Sequence, residues 1–307
     1  MRFFLKGISL FLFPLFILFS CATLPEKSLV PEAPDLLPRE QDLYLSLGIQ
    51  GNRSLAESLF LPLLSGTPFG NSFLDKTERV YLSYSENPPG FSSFSLAALG
   101  AYPRGSINFA LRNNREWENP GGNPRVFRHR EVGLEVSVPE QGLLLVSNGS
   151  MPEMITKYLK GTEAGFSPET VILLGTADMA VVAKRLPESF ASLLKVDPGR
   201  IKTKQITASF VRVPEGNYQL VVEFQMDTER EAKALNALLR LAVLADRRKV
   251  EGSRDSLSLA QAEVNQVGSS VVVQGLSLQE EVLQGILAFP MTPAPGTFKD
   301  SESQGEN

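Results

Sequence analysis

Residues 206–226 read ITASFVRVPEGNYQLVVEFQM. Apolar and polar residues alternate on both sides of Pro214-Glu215-Gly216-Asn217, the pattern of two strands joined by a turn as an antiparallel hairpin. Thr228-Glu229-Arg230-Glu231 follows at once and fits a helix-opening capping box. The threonine hydroxyl accepts from the third helical N–H, and the glutamate reaches back to the cap N–H. This ββα unit decides the fold because the chain uses it repeatedly.

EVGLEVSV-PEQG-LLLVSN (131–148), with its turn at Pro139 to Gly142, is a second version. LAQAEVNQ-VGS-SVVVQG (259–275) is a third, and ERVYLSYS-ENPPG-FSSFSLAALG (78–100) a fourth with a longer turn. A helix candidate follows each. Further capping boxes stand at Ser54-Leu55-Ala56-Glu57, Ser150-Met151-Pro152-Glu153 and Ser277-Leu278-Gln279-Glu280. After the last, Leu278, Val282 and Ile286 share one helical stripe. Two single strands complete the series: DLYLSLGIQ from Asp42, leading into the Ser54 helix, and TVILLG from Thr170, leading into a helix that ends near Leu194.

In order, the chain reads β-α-ββα-ββα twice. Corresponding elements start at 42 and 170, 78 and 206, 131 and 258, and 151 and 277, separations of 126 to 128 residues. A near-constant offset is what a tandem duplication leaves. Val-x-Val-Pro-Glu at 136–140 and 211–215 has a different offset, 75, and fits a smaller ββα repeat instead. The expected class is α+β, with antiparallel sheets covered by helices on one face. The halves, 42–160 and 170–289, form either two domains or one body with pseudo-twofold symmetry.

Composition narrows the function. The 307 residues are 43% hydrophobic and 21% charged, with net charge −4, one Cys and one His. One Cys excludes an internal disulfide, a CxxC pair and a multi-Cys zinc site. One His excludes two-His metal motifs. A mildly acidic chain without a basic block is a poor nucleic-acid ligand. No metal or cofactor is expected.

The first twenty residues, MRFFLKGISLFLFPLFILFS, are an address. Arg2 and Lys6 precede an uncharged run from Gly7 to Ser20, the pattern of a secretory signal. The run ends in Leu18-Phe19-Ser20-Cys21, which resembles a bacterial lipobox, in relaxed forms similar to those of spirochaetes. The resemblance implies that Cys21 carries a diacylglycerol thioether and becomes the mature N-terminus. The sole Cys of the chain falls at this position. Removing residues 1–20 takes away two cations and no acid, which moves the net charge from −4 to −6. The anchor, not a polybasic face, must then hold the body at the membrane.

Residues 21–41 hold Pro25, Pro31, Pro34 and Pro38. That density predicts an extended spacer, roughly 60 Å at most for twenty residues at about 3.1 Å each. Residues 290–307, PMTPAPGTFKDSESQGEN, cannot build a core and are expected to be disordered.

Chemistry is sparse. His129, in Phe127-Arg128-His129-Arg130-Glu131, has no second His or Cys beside it and reads as a surface or strand-end residue. Asp197, Asp246, Asp255, Glu116 and Glu118 form no convincing acid–base pair. GxSxG, Walker-type and GxGxxG motifs are absent. Asn148-Gly149-Ser150 spells a sequon but reads more simply as a turn and the Ser150 cap. The expectation is not an enzyme; a carboxylate site of unrecognised type is the remote alternative.

Apolar residues, by contrast, exceed what one buried helix stripe needs. Leu59, Phe60 and Leu63 belong to a run covering most of the circumference of the Ser54 helix. In the Thr228 helix, Leu235, Leu238, Leu239 and Ala242 form one stripe, and Ala234, Ala237, Leu241 and Leu244 a second. Such helices are either sandwiched in a core or meet a second apolar phase. Leu59, Phe60, Leu63 and Leu241 are therefore the candidate membrane or ligand contacts. The lipobox and element order together loosely resemble spirochaetal outer-membrane lipoproteins, α/β bodies whose amphipathic helices dip into the bilayer. The resemblance implies an envelope lipoprotein, at the outer membrane more than the inner, because Ala22 is not the Asp that retains enteric lipoproteins inside. The expected role is non-catalytic contact with lipid or an envelope protein; the alternative is a small-molecule or lipid-binding protein with a pocket between the halves.

Overall fold

The computed structural model describes residues 33–64, 70–87, 91–161, 165–185, 202–213, 216–247, 257–258 and 261–288. Cys21, residues 1–32, the 290–307 tail and the segment running to Leu194 lie outside them.

A short 3₁₀ turn, Ala33–Leu36, precedes β1 (Leu43–Gly48). Then come α1 (Arg53–Leu64), α2 (Gly70–Lys76), β2 (Thr77–Asn87), β3 (Phe91–Gly100) and α3 (Arg104–Asn113). Four strands follow, β4 (Trp117–Gly121), β5 (Val126–His129), β6 (Glu135–Ser137) and β7 (Leu143–Ser147), and then α4 (Met151–Lys160). The second segment holds α5 (Pro168–Thr176), β8 (Met179–Ala183), β9 (Gln205–Arg212), β10 (Asn217–Gln225) and α6 (Glu229–Arg247). It closes with β11 (Leu257–Ser258), β12 (Glu263–Val267), β13 (Ser270–Gln279) and α7 (Glu280–Ala288).

The thirteen strands of the described residues form one antiparallel sheet, ordered β11-β13-β10-β9-β8-β1-β2-β3-β7-β6-β5-β4, with β12 also on β13. The molecule is α+β, and one sheet runs through both segments. Its centre is the β1–β8 pair, with Leu43 opposite Ala183 and Leu47 opposite Met179. From β1 the sheet runs outward through β2, β3 and β7; from β8 it runs through β9, β10 and β13.

Helices cover both faces, not one. On the first face α1, α2, α3, α6 and α7 pack on residues such as Leu45, Leu82, Phe210 and Val273. On the second, the 3₁₀ turn, α4 and α5 pack on Tyr44, Tyr81, Leu145 and Val182. The cause is legible in the strands. β7 (LLLVS) and β8 (MAVVA) are buried along their whole length, so both of their faces need cover. β10 alternates buried and exposed residues and is covered once.

Several local expectations change. TVILLG is helix α5: Pro168 opens it and Ser167 Oγ accepts from Thr170 N at 3.3 Å, and the strand comes afterwards. Ser54 lies inside α1, which already starts at Arg53. Ser277 is a strand residue opposite Gln219, and its helix starts at Glu280. Ser150 precedes α4 without a side-chain cap bond. The Thr228 box forms in full, with Glu231 N to Thr228 Oγ1 at 3.2 Å and Thr228 N to Glu231 Oε2 at 3.1 Å. The Pro-rich spacer does not extend to residue 41, because Ala33, Leu36 and Leu37 are buried in the second-face core.

Candidate functional site

α6 is apolar on two opposite sides. Ala232, Leu235, Leu239 and Val243 point into the core. The helix packs on β12 and β13, and Arg240 lies back over that edge to donate to the Val264 carbonyl at 3.0 and 3.3 Å. On the outward side, Leu238, Leu241 and Leu244 remain 55%, 62% and 49% exposed. A residue every third position keeps to one side of a helix, and the exposed Ala234, Ala237 and Ala245 widen the strip. No charge interrupts the strip from Leu241 to Ala245. Among the described residues no helix is long and apolar enough to cross a membrane. An outward leucine strip of this kind can lie along a bilayer surface or meet a partner.

The other helix candidates fall elsewhere. Leu59 and Phe60 are buried among core side chains, where Phe60 sits edge-on to Phe73 with ring centroids 6.3 Å apart. α1 lies between the sheet, α2 and α7, so its wide apolar circumference is used by several neighbours. The side chain of Leu63 lies outside the described residues, as does Cys21. Of the four helix candidates, the structure places Leu241 on the surface. It adds Leu238 and Leu244, whose three-residue spacing was the available signal.

His129 is a buried strand-end residue. Its Nδ1 accepts from the backbone N–H of Glu131 at 3.2 Å, and its ring stands edge-on to Trp117. Glu116 Oε2 lies 4.0 Å from its Nε2, and Glu118 pairs with Arg130 at 3.3 Å. These contacts tie the β4–β5 end together and gather no reacting group.

A cavity of about 350 Å³ opens on the second face. Leu37, Tyr44 and Lys157 from the first segment line it, with Phe166, Val182, Lys184 and Lys204 from the second. Phe166 stands edge-on to Tyr44 at 4.8 Å. Burial pushes the Tyr44 phenol above its ordinary value, and its hydroxyl donates to the Pro38 carbonyl at 2.9 Å. Lys157 donates to the Leu37 carbonyl and pairs with Glu153 at 3.0 Å.

Comparison with known proteins decides the family. The model of the outer membrane-associated lipoprotein TP0453 family matches residues 32–268. The chain belongs to the TP0453 family. Its fold is that of TP0453, a spirochaetal lipoprotein. Crystal form I of TP0453 superposes with a TM-score of 0.62 at 14% identity, covering 84% of this chain and 97% of that one. Crystal form III gives 0.57 at 14%, covering 84% and 98%. Nothing matches among curated protein sequences. Membership in the TP0453 family places the chain in the cell envelope as a lipid-anchored protein of the outer membrane.

Proposed function

We propose that this lipoprotein is a non-catalytic protein anchored by lipid on Cys21, and that its body lies on the bilayer through the outward face of α6. The exposed row Leu238, Leu241 and Leu244, on a helix whose other side already fills the core, carries the reading. Burying these half-exposed side chains in an acyl boundary is worth roughly 1 kcal/mol each. The acidic body offers no general attraction to anionic lipid, which favours an apolar contact.

The test uses the chain from Ala22, which keeps every described residue, floated with phosphatidylcholine vesicles. The wild-type body is expected to co-float. The combined variant Leu238→Ser, Leu241→Ser and Leu244→Ser is expected to lose at least tenfold in partition at an unchanged unfolding midpoint. Equal partition of the two, or no binding by the wild type, contradicts the reading.

A second reading, a small-molecule or lipid-binding role, is favoured by the cavity that Tyr44 and Phe166 line, because residues of both segments contribute to it. Co-purified ligand seen by native mass spectrometry, lost on Phe166→Asp, would support it. We also infer a tandem duplication. Supporting it are the two outward runs of strands from the β1–β8 centre, with matched starts at 77 and 205, 91 and 217, and 143 and 270.

A further inference from the structure

α3 carries two charged residues, Arg104 and Arg112, and no acid. Arg125, from the β4–β5 connection, joins them around a shallow cavity of about 340 Å³ that Phe109 also lines. Phe109 is 71% exposed. None of the three guanidinium groups forms an ion pair with a described residue. Elsewhere Arg53, Arg128, Arg130, Arg185 and Arg212 each sit within 3.3 Å of a carboxylate, and Arg79 and Arg240 donate to backbone carbonyls. Glu140 is the carboxylate on the Arg104 side, and the Tyr158 hydroxyl donates to it at 3.5 Å. Three like charges gathered around an exposed aromatic repel one another unless an anion joins them. They do so in a chain whose net charge is −4, so the cluster is not the overflow of a basic protein.

We propose that Arg104, Arg112 and Arg125 seat the phosphate of an anionic phospholipid headgroup while Phe109 enters the acyl boundary beside it. Guanidinium groups suit phosphate because their planar donor forks match its oxygens. An exposed aromatic next to arginines is the composition of an interfacial contact. α3 buries Ile107 and Leu111 on the same sheet face where α6 buries Leu235 and Leu239, so both outward surfaces leave the sheet on one side. The inference rests on the body meeting a bilayer, yet its signal is separate. The α6 leucines govern binding to neutral vesicles; the arginines govern the increment that anionic lipid adds.

The experiment compares flotation of the chain from Ala22 on phosphatidylcholine vesicles with flotation on the same lipid mixed with phosphatidylglycerol. At about fivefold per basic residue near the surface, three arginines raise partition on the order of a hundredfold at low salt. High salt abolishes the rise. Arg104→Gln, Arg112→Gln and Arg125→Gln combined abolish it too and leave neutral-vesicle binding unchanged. All three side chains are exposed, so folding is preserved. Phe109→Ser lowers partition on both vesicle types. If the leucine-substituted α6 body no longer floats on neutral vesicles but still responds to anionic lipid, this proposal stands without α6. Equal partition on the two vesicle types overturns it, as does a rise that survives the triple variant. Suppression by inorganic phosphate beyond that by chloride of equal ionic strength is expected of a cluster that seats the headgroup phosphate; equal suppression by the two overturns the phosphate assignment.

Discussion

At the scale of single residues, Asn52 carries the most structural consequence. It is buried just before α1, donates from Nδ2 to the Gly48 carbonyl at 2.7 Å and the Asp178 carbonyl at 3.3 Å, and accepts from the Tyr218 hydroxyl at 2.8 Å. One amide thus joins β1, the start of β8 and β10. Asn52→Ala leaves those groups buried without partners and is expected to cost about 2–3 kcal/mol in denaturant unfolding. Burial, with Glu280 nearby adding to it, pushes the Tyr218 phenol up to about 12. The unfolded chain releases that proton near 10. Between these values the folded state holds the extra proton, so stability is full below pH 10 and falls as pH rises toward 12. Unfolding midpoints measured across this window are expected to fall, and to fall less steeply in Tyr218→Phe. Gly275 illustrates a third constraint. It has φ +77°, and a Cβ there would meet the Gln261 carbonyl oxygen at 2.7 Å, beside the bulge between β10 and β13. Gly275→Ala is expected to destabilise by about 1–3 kcal/mol.

At the scale of elements, α6 offers a paired comparison. Leu239→Ala empties a core position and is expected to cost about 2–5 kcal/mol. Leu241→Ala faces outward and is expected to change stability by less than about 0.5 kcal/mol while weakening vesicle binding. Thermal unfolding and flotation of the two variants check this. The hairpins β2–β3, β6–β7, β9–β10 and β12–β13 were legible in the sequence because alternation and turn residues mark them from within. TVILLG was not: a six-residue apolar run has no period that separates strand from helix, and the deciding marks, Ser167 and Pro168, lie before it. β4 and β5, as WENPG and VFRH, are too short to show a pattern and exist through their register with each other and with β6. Ser277 matched a capping box in sequence, but strand pairing to β10 and β11 claims it first. The candidate site divides the same way. Leu59, Phe60 and Leu241 look alike in sequence, since each lies on a helix apolar on more than one side. What separates them is how many neighbours surround each helix, and that is set by distant segments.

At the scale of the whole molecule, one sheet with helices on both faces presents two exteriors, and the row of three leucines on α6 belongs to the first. α3 and α6 lie on one side, with Phe109 and the leucine row turned outward; α5, with exposed Ile172, lies on the other. If Cys21 is the anchor, Cys21→Ser is expected to abolish incorporation of labelled palmitate, and retained label would contradict it. With Cys21 lipidated, no other thiol competes for a label, because the chain has one Cys. The most direct test of bilayer contact is therefore a nitroxide at Leu241→Cys in the lipidated protein on vesicles, compared with one at Ile172→Cys. Oxygen is expected to relax the label at 241 strongly and a water-soluble agent to relax it weakly, with the reverse at 172. Equal access of the water-soluble agent to both positions would contradict it.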